Sequence, residues 1–514
     1  MMSPQLIERP GRWVLLAVAP LALAFVPAAF MIGRFIGFGT SFDLGSGFAK
    51  ALQSSLLVAG GVALVSFAVG LPVGVLAVFY RFPARASLLG VLALPLFVPP
   101  FLWAIGLSVF RSSSGLAADG VLGGDVAAVA VFCAMGVPLV MFATMLAAAG
   151  LAHHPADAAR LAGGERVLLI EAAKAVVPPA TLAAGLAAVL SLSDAGPAMI
   201  LGGRSVAAEM LTSFAALYDY DLATRQCLAL SALVLLVALP ASIAFAGGFR
   251  RALSGRDLAT IPSVRHPVAT WLAPVVLALP VAVFVGIPLS GLLSPLTVQA
   301  PLADAAALAI ATLPNTLLYA GGPAVLASVA GFAIAVGVGH VPRVRALAVA
   351  LAVALLCLPP SLIGLGIARA ATEGPPALDW ALRSRLTVCV ALAVRFLPVA
   401  LLFGLRSMAS VPSSRVQAAA IHGVGLGAFA MRILIPALAP GLWLSFLTVA
   451  LLASGEVGIV LLLRPPGEDS LPVALFTIMA NAPAAMVAVL CVVHLLSAAV
   501  PIALVLPRLL VQQR

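Results

Sequence analysis

Long stretches without charge alternate with short polar stretches along the whole chain. Twelve apolar runs can be counted: 13–33, 51–80, 86–110, 126–152, 175–193, 226–249, 267–303, 305–339, 346–368, 386–405, 433–455 and 470–507. A spanning helix needs about 20 apolar residues, and the runs are of that order. Alternation of period two is absent, which argues against a barrel. The pattern predicts an all-α polytopic membrane protein with about twelve transmembrane helices. Several runs exceed one span and must include loop or interfacial residues. Run 386–405 is broken by one charge, Arg395. The first run follows Arg9 and Arg12, as in a signal peptide. It is nevertheless longer than the usual apolar region of roughly 7–15 residues, so it is expected to be an uncleaved first helix.

The polar stretches repeat. Asp157-Ala158-Ala159 with Gly163 matches Gln417-Ala418-Ala419 with Gly423, 260 residues later. Leu56-Leu57-Val58-Ala59-Gly60-Gly61 matches Leu317-Leu318-Tyr319-Ala320-Gly321-Gly322. Pro99-Pro100 with Gly106 matches Pro359-Pro360 with Gly366, and Arg204 matches Arg464. Four landmarks in order at one offset imply two repeats of six helices, 1–250 and 267–514, joined by a polar linker at 251–266. Six is even, so the repeats are expected to be parallel, with a pseudo-two-fold along the membrane normal and a pathway at their interface.

Composition agrees with the pattern. Hydrophobic residues make up 63% of the chain and charged residues 9%, against about 25% charged in a soluble domain. With the N-terminus placed in the cytoplasm, inner loops carry 18 of the 28 basic residues, although the outer loops are longer overall. The positive-inside rule then puts both termini in the cytoplasm. The net charge of +10 thus reads as membrane topology, and nucleic acid is not an expected partner. The five cysteines lie in or at the edges of apolar runs with no CxxC spacing, so they imply neither disulfides nor a metal site.

The two Ala-Ala segments are the main functional candidates. A proline (Pro155 or Pro412) leads each one and a glycine (Gly163 or Gly423) ends it, which predicts a short surface helix near 155–166 and another near 412–426. Such helices either lie passively on the bilayer or meet a partner protein. Pro99, Pro100, Pro359 and Pro360 kink the third and ninth runs. The kinks either shape packing or line the pathway. Arg395 either ties helices together or faces an anionic ligand or a gating carboxylate. Asp194 and Glu456 close the fifth and eleventh runs, as structural caps or as an acidic pair near the outer vestibule. Arg204 and Arg464 follow in outer loops, where they dock a binding protein or bind lipid phosphate.

The second segment resembles the "EAA" loop of binding-protein-dependent ABC importer permeases, Glu-Ala-Ala-x3-Gly-x9-Ile-x-Leu-Pro, through Gln417, Ala418, Ala419, Gly423, Ile433, Ile435 and Pro436. The first matches through Gly163, with Pro178 two residues late. Both copies replace the leading Glu. Ser191-Leu192-Ser193-Asp194-Ala195-Gly196, Arg395-Phe396-Leu397-Pro398 and Leu461 to Gly467 also resemble fused permeases of the ferric-iron group. The resemblance implies a bacterial inner-membrane permease that binds no cofactor itself. Two copies of a nucleotide-binding ATPase subunit, which would themselves carry ATP and Mg, would be coupled to the chain at Asp157, Ala158, Ala159, Gly163, Gln417, Ala418, Ala419 and Gly423. An extracytoplasmic binding protein would deliver the solute, by family ferric iron, with phosphonate, thiamine and polyamine as relatives' solutes.

The chain has no G-x-x-x-x-G-K-[ST], H-E-x-x-H or G-x-S-x-G motif. No catalytic residue is therefore assigned, and ATP would be hydrolysed by the partner. The alternative is a twelve-helix secondary transporter driven by an ion gradient. That mechanism needs coupling-ion groups in the membrane, and the runs are nearly free of carboxylates. A membrane scaffold or polytopic enzyme has no motif in its favour.

Overall fold

The computed structural model describes residues 25–37, 43–115, 123–149, 153–254, 265–297, 301–338, 341–373 and 383–511. The chain is membrane-embedded and helical. Nine of the described helices are long and apolar enough to cross a membrane, or eleven when each of two bent pairs counts as one span. Run 13–33 is described only from Phe25, so the expected twelfth span lies largely outside the described residues. Helices suit these sequences because every backbone polar group in hydrocarbon needs an internal partner.

In chain order, α1 (Val26–Gly37) and α2 (Phe48–Phe79) are followed by α3 (Arg85–Ala93), which tightens into a 3-10 turn at Leu94–Leu96. Then come α4 (Pro100–Ser113), α5 (Gly124–Ala149) and α6 (His153–Leu192). Two short helices, α7 (Gly196–Leu201) and α8 (Val206–Ala215), precede α9 (Tyr220–Ser254). Helix α10 (Pro267–Val281) continues through a π turn into α11 (Ile287–Leu293). Thereafter α12 (Leu302–Val338), α13 (Pro342–Cys357), α14 (Pro360–Glu373), α15 (Arg385–Ala409), α16 (Ser413–Ile421) and α17 (Leu426–Phe429) follow. The chain closes with α18 (Ile435–Ser454), α19 (Gly458–Leu463), α20 (Leu471–Ile478) and α21 (Ala484–Val511). The linker expected at 251–266 is described only at its ends.

Two expectations need correction. Runs 86–110 and 346–368 are not kinked single helices: the chain turns by 103° between α3 and α4 and by 79° between α13 and α14. Each break falls at a proline pair, which removes two successive N–H donors, although the pair Pro178-Pro179 stays within α6. Run 470–507 holds one span, α21, preceded by the short α20 and a turn at 479–483, in keeping with the loop residues expected in the longer runs.

The chain forms two compact units. One comprises Phe42–Leu230, Asp257–Ala311 and Ala474–Arg514; the other comprises Met1–Ser41, Ser231–Arg256 and Thr312–Val473. Each therefore combines the middle helices of one repeat with the first helix and the closing segment of the other. In the first unit a Cβ on Gly106 of α4 would strike the Pro288 carbonyl of α11. In the second, a Cβ on Gly366 of α14 would come within 2.8 Å of the Pro27 carbonyl oxygen of α1. Gly106 and Gly366 are equivalent in the repeat, and Pro27 and Pro288 lie 261 residues apart. The same small-residue crossing thus occurs in each unit. Small residues also bring the long spans together. A Cβ on Gly70 of α2 would lie 2.7 Å from the Val137 carbonyl of α5, and one on Gly331 of α12 would lie 2.7 Å from the Leu401 nitrogen of α15. Such contacts drive helix association where no hydrophobic effect operates.

Candidate functional site

Each Ala-Ala segment folds as a short helix ended by glycine. Within α6, helical geometry fails at Gly163 (φ −169°, ψ 25°) and Gly164 (φ +69°, ψ −158°). The part before this break is the surface helix and the part after it is the span. Helix α16 also ends at a left-handed glycine, Gly423 at φ +66°, a conformation that costs a residue with a Cβ; in the first copy the left-handed residue is Gly164, one place later in the register. The inside–outside register is the same in both. Ala158 and Ala418 are exposed, whereas Ala159 and Ala419 are buried. Gly163 and Gly423 are exposed. Two positions beyond each buried alanine stands a large apolar side chain in the open: Leu161 is 90% exposed and Ile421 is 83% exposed. Gln417 is exposed, and Asp157 lies in the helix with its side chain outside what the structure describes.

The helices are held from behind by different means. Ala159 packs with Phe79, Tyr80, Leu168 and Ala269. The Tyr80 hydroxyl donates to Glu165 Oε2 at 2.6 Å, and Arg160 Nε donates to Glu165 Oε1 at 3.0 Å. The carboxylate thus bridges the end of α2 and the surface helix, across the glycine break. Burial raises the Tyr80 phenol above its ordinary range, and the Glu165 carboxylate adds to this, so Tyr80 remains a donor. The His266 ring, just before α10, meets Tyr80 edge-on at 6.1 Å. In the second unit, Val411, Val416 and Ala419 are buried beneath α16. Gly425 and Ala420 occupy the places of Glu165 and Arg160, so that bridge has no counterpart. The Tyr80–Glu165–Arg160 bridge escaped sequence reasoning because these are ordinary loop residues until the fold joins them.

The proline pairs also keep a common register. Pro99 and Pro359 are buried, and Pro100 and Pro360 are partly buried. Arg395 is buried at 6% exposure. Its Nη1 donates to the Leu356 carbonyl at 2.7 Å and to the Leu358 carbonyl at 2.6 Å. It therefore completes the end of α13, where Pro359 and Pro360 supply no N–H. Of the two readings of Arg395, the tie between helices is the one the hydrogen bonds describe.

Asp194 and Glu456 are caps. Asp194 Oδ1 accepts from the Gly196 nitrogen at 2.8 Å, and Glu456 Oε1 accepts from Gly458 and Ile459 at 3.1 and 3.4 Å. They start α7 and α19, and each belongs to a different unit. The two matched loop arginines differ from one another. Arg204 is exposed, while Arg464 is paired with Asp469 of its own loop.

A further repeated arrangement holds the loops that carry Arg204 and Arg464. Ser54 Oγ donates to the Arg204 carbonyl at 2.8 Å, and Ser55 Oγ accepts from Val206 at 3.0 Å. Asn315 Nδ2 donates to the Asp469 carbonyl at 3.4 Å, and Thr316 Oγ1 accepts from Leu471 at 2.8 Å. The only sequence signal was a polar pair near the start of each long apolar run. Among the described residues no group of three or more His, Cys, Asp or Glu side chains could hold a metal ion.

No known protein family, curated protein or solved structure matches the chain. Its functional reading therefore rests on its own residues and geometry.

Proposed function

We propose that the chain is the membrane permease of a binding-protein-dependent ABC importer in a bacterial inner membrane. It moves a small solute by alternating access, with ferric iron as the solute class that the resemblance implies. The observation that carries this reading is the pair of glycine-ended surface helices, each presenting an exposed alanine and one bare apolar side chain, Leu161 or Ile421. A passive interfacial helix needs a broad apolar stripe toward lipid. One projecting side chain beside small residues suits insertion into a groove of another protein. The excess of basic residues on the same loops supports a cytoplasmic position for both helices. ATP and Mg would then belong to two partner ATPase subunits, and closure of those subunits would move the surface helices and rock the units they belong to.

The test is reconstitution in liposomes with the nucleotide-binding subunits and the binding protein. Wild type is expected to show ATP-dependent uptake. The double variant Leu161→Asp with Ile421→Asp is expected to insert normally, to lose the ATPase subunits on purification and to lose uptake by at least about tenfold, since a buried charge at a hot spot costs upwards of 2 kcal/mol. Retention of the ATPase and full uptake by that variant would sink the reading. Uptake driven by an ion gradient in the isolated chain would favour the secondary-transporter alternative.

A further inference from the structure

The two bends differ in how the helix that enters them is finished. In α13 the carbonyl of Leu356 would look for N–H donors three and four residues on, and finds Pro359 and Pro360. Arg395 supplies the missing donor there, and its single Nη1 serves Leu358 as well. In the first repeat the corresponding carbonyls are those of Leu96 and Val98, and the prolines are Pro99 and Pro100. Position 135, which matches Arg395, is methionine. The match is anchored by Pro138 in α5 and Pro398 in α15, three residues on in each case. Helix α5 packs against the 3-10 turn Leu94–Leu96, as α15 packs on α13. Met135 offers no N–H. Among the described residues no donor reaches the Leu96 or Val98 carbonyl; Leu96 is partly buried and Val98 is only 2% exposed. Buried carbonyls are rarely left so.

The surroundings favour positive charge. A helix ends here with its negative pole and unsatisfied oxygens. Asp194 stands beside the first turn of α4: the position of a Cβ on Gly196 is 3.0 Å from Phe101 Cβ and 3.2 Å from Asp194 Oδ1. In the second unit Glu456, the matching cap, lies within electrostatic reach of Arg395. In that repeat the matching carbonyls, Leu356 and Leu358, already hold a guanidinium, with Glu456 near enough to feel its charge.

We propose that the end of the first bent helix, at the carbonyls of Leu96 and Val98 beside Asp194, is a binding site for a small cation with N–H donors, of the guanidinium or ammonium class. Arg395 is the tethered form of that ligand in the other repeat. Broken membrane helices use exposed carbonyl ends to hold cations in this way. The site stands on the comparison of the repeats, not on the transport reading, and binding is measured on the isolated chain.

The probe is methylguanidinium chloride, titrated into the purified full chain in detergent while the melting temperature is followed. Wild type is expected to gain about 2 °C, saturably, and to gain less in sodium or magnesium chloride of equal ionic strength. Met135→Arg is expected to melt higher than wild type and to lose the response. Asp194→Asn is expected to weaken the midpoint about tenfold, as a charge-assisted partner is lost. Arg395→Met, which makes a second such site, is expected to show a larger response than wild type. The proposal is overturned if wild type shows no saturable rise while Arg395→Met is rescued. It is also overturned if sodium or magnesium does as well as the probe, or if Asp194→Asn and Met135→Arg respond as wild type does. Should Met135→Arg fail to insert, the Asp194→Asn arm decides.

Discussion

The two repeats place the same backbone break at the same register and complete it with different side chains. After α13 the break is closed from within by Arg395; after α3 the matching residue is Met135. The surface helices show the reverse inequality. The first is bridged to α2 through Tyr80, Glu165 and Arg160, and the second rests on buried Val411, Val416 and Ala419. Backbone geometry is therefore the retained part of the duplication, and the side chains that satisfy it have diverged. Proline pairs mark the two bends and glycines the ends of the surface helices, but Pro138, Pro178, Pro179 and Pro398 stand inside helices, so neighbouring elements take part in deciding where a helix ends. The partners for the freed groups come from other elements, which each repeat supplies in its own way.

The largest effect on this comparison is expected from Arg395→Met. It leaves the buried Leu358 carbonyl and the part-buried Leu356 carbonyl without their donor, at about 1–3 kcal/mol for the buried one and less for the other. Thermal melting of the variant should fall well below wild type, whereas Met135→Leu in the other unit should leave it nearly unchanged. Equal effects from the two would mean that the guanidinium is not what distinguishes the bends.

Glycine exchange tests what the two units share. Gly106→Ala and Gly366→Ala both place a methyl against a proline backbone of a helix from the opposite repeat. Overpacking of this kind costs about 1–3 kcal/mol. The two variants are expected to lose similar stability, read by melting in detergent. Loss in one only would show that the crossing is a real constraint in a single unit.

These elements also mark what could be read from the chain beforehand. The apolar runs outlined the spans, and Gly163 and Gly423 marked the ends of the surface helices, because both signals are local. The paired prolines marked a discontinuity, but the angles of 103° and 79° are set by packing against neighbouring helices, which no local pattern encodes. The exchange of first helices between repeats was invisible for the same reason, although Gly106 and Gly366 were already visible as matched landmarks. Arg395 was visible as an anomaly, and its role depended on carbonyls 37 and 39 residues away. Ser54, Ser55, Asn315 and Thr316 looked like tolerated polar residues near a helix start until the loops that carry Arg204 and Arg464 were placed upon them.

The bridge behind the first surface helix predicts a smaller and one-sided effect. Glu165→Gln keeps the shape and weakens a charge-assisted hydrogen-bond pair, at about 1–2 kcal/mol. Amide exchange is expected to rise in 153–164 and to stay unchanged in 413–423. Tyr80→Phe should act in the same direction and more weakly. Faster exchange in both segments would mean that the two helices share one restraint, contrary to their separate packing.

The smallest effect belongs to the loops around Asp125 and Glu468. The place of Asp125, which accepts from Ser54 Oγ at 2.6 Å, is taken in the second repeat by Arg385, which donates twice to Glu468 at 2.6 Å. The Arg385 hydrogen bonds hold the Glu468 carboxyl below its ordinary range. A carboxyl lowered in the folded state stabilises the protein fully above its unfolded value, about 4.3. That contribution is lost as pH falls through the lower folded value. Exposed pairs contribute little, so Glu468→Gln should lower the melting temperature slightly at pH 7. The gap from wild type is expected to hold above the unfolded value and to close as pH falls through the lower folded value and wild type loses the charge. A gap that stays constant through acid pH would assign the loss to packing of the side chain, and the Arg385–Glu468 pair would cease to be a difference between the repeats.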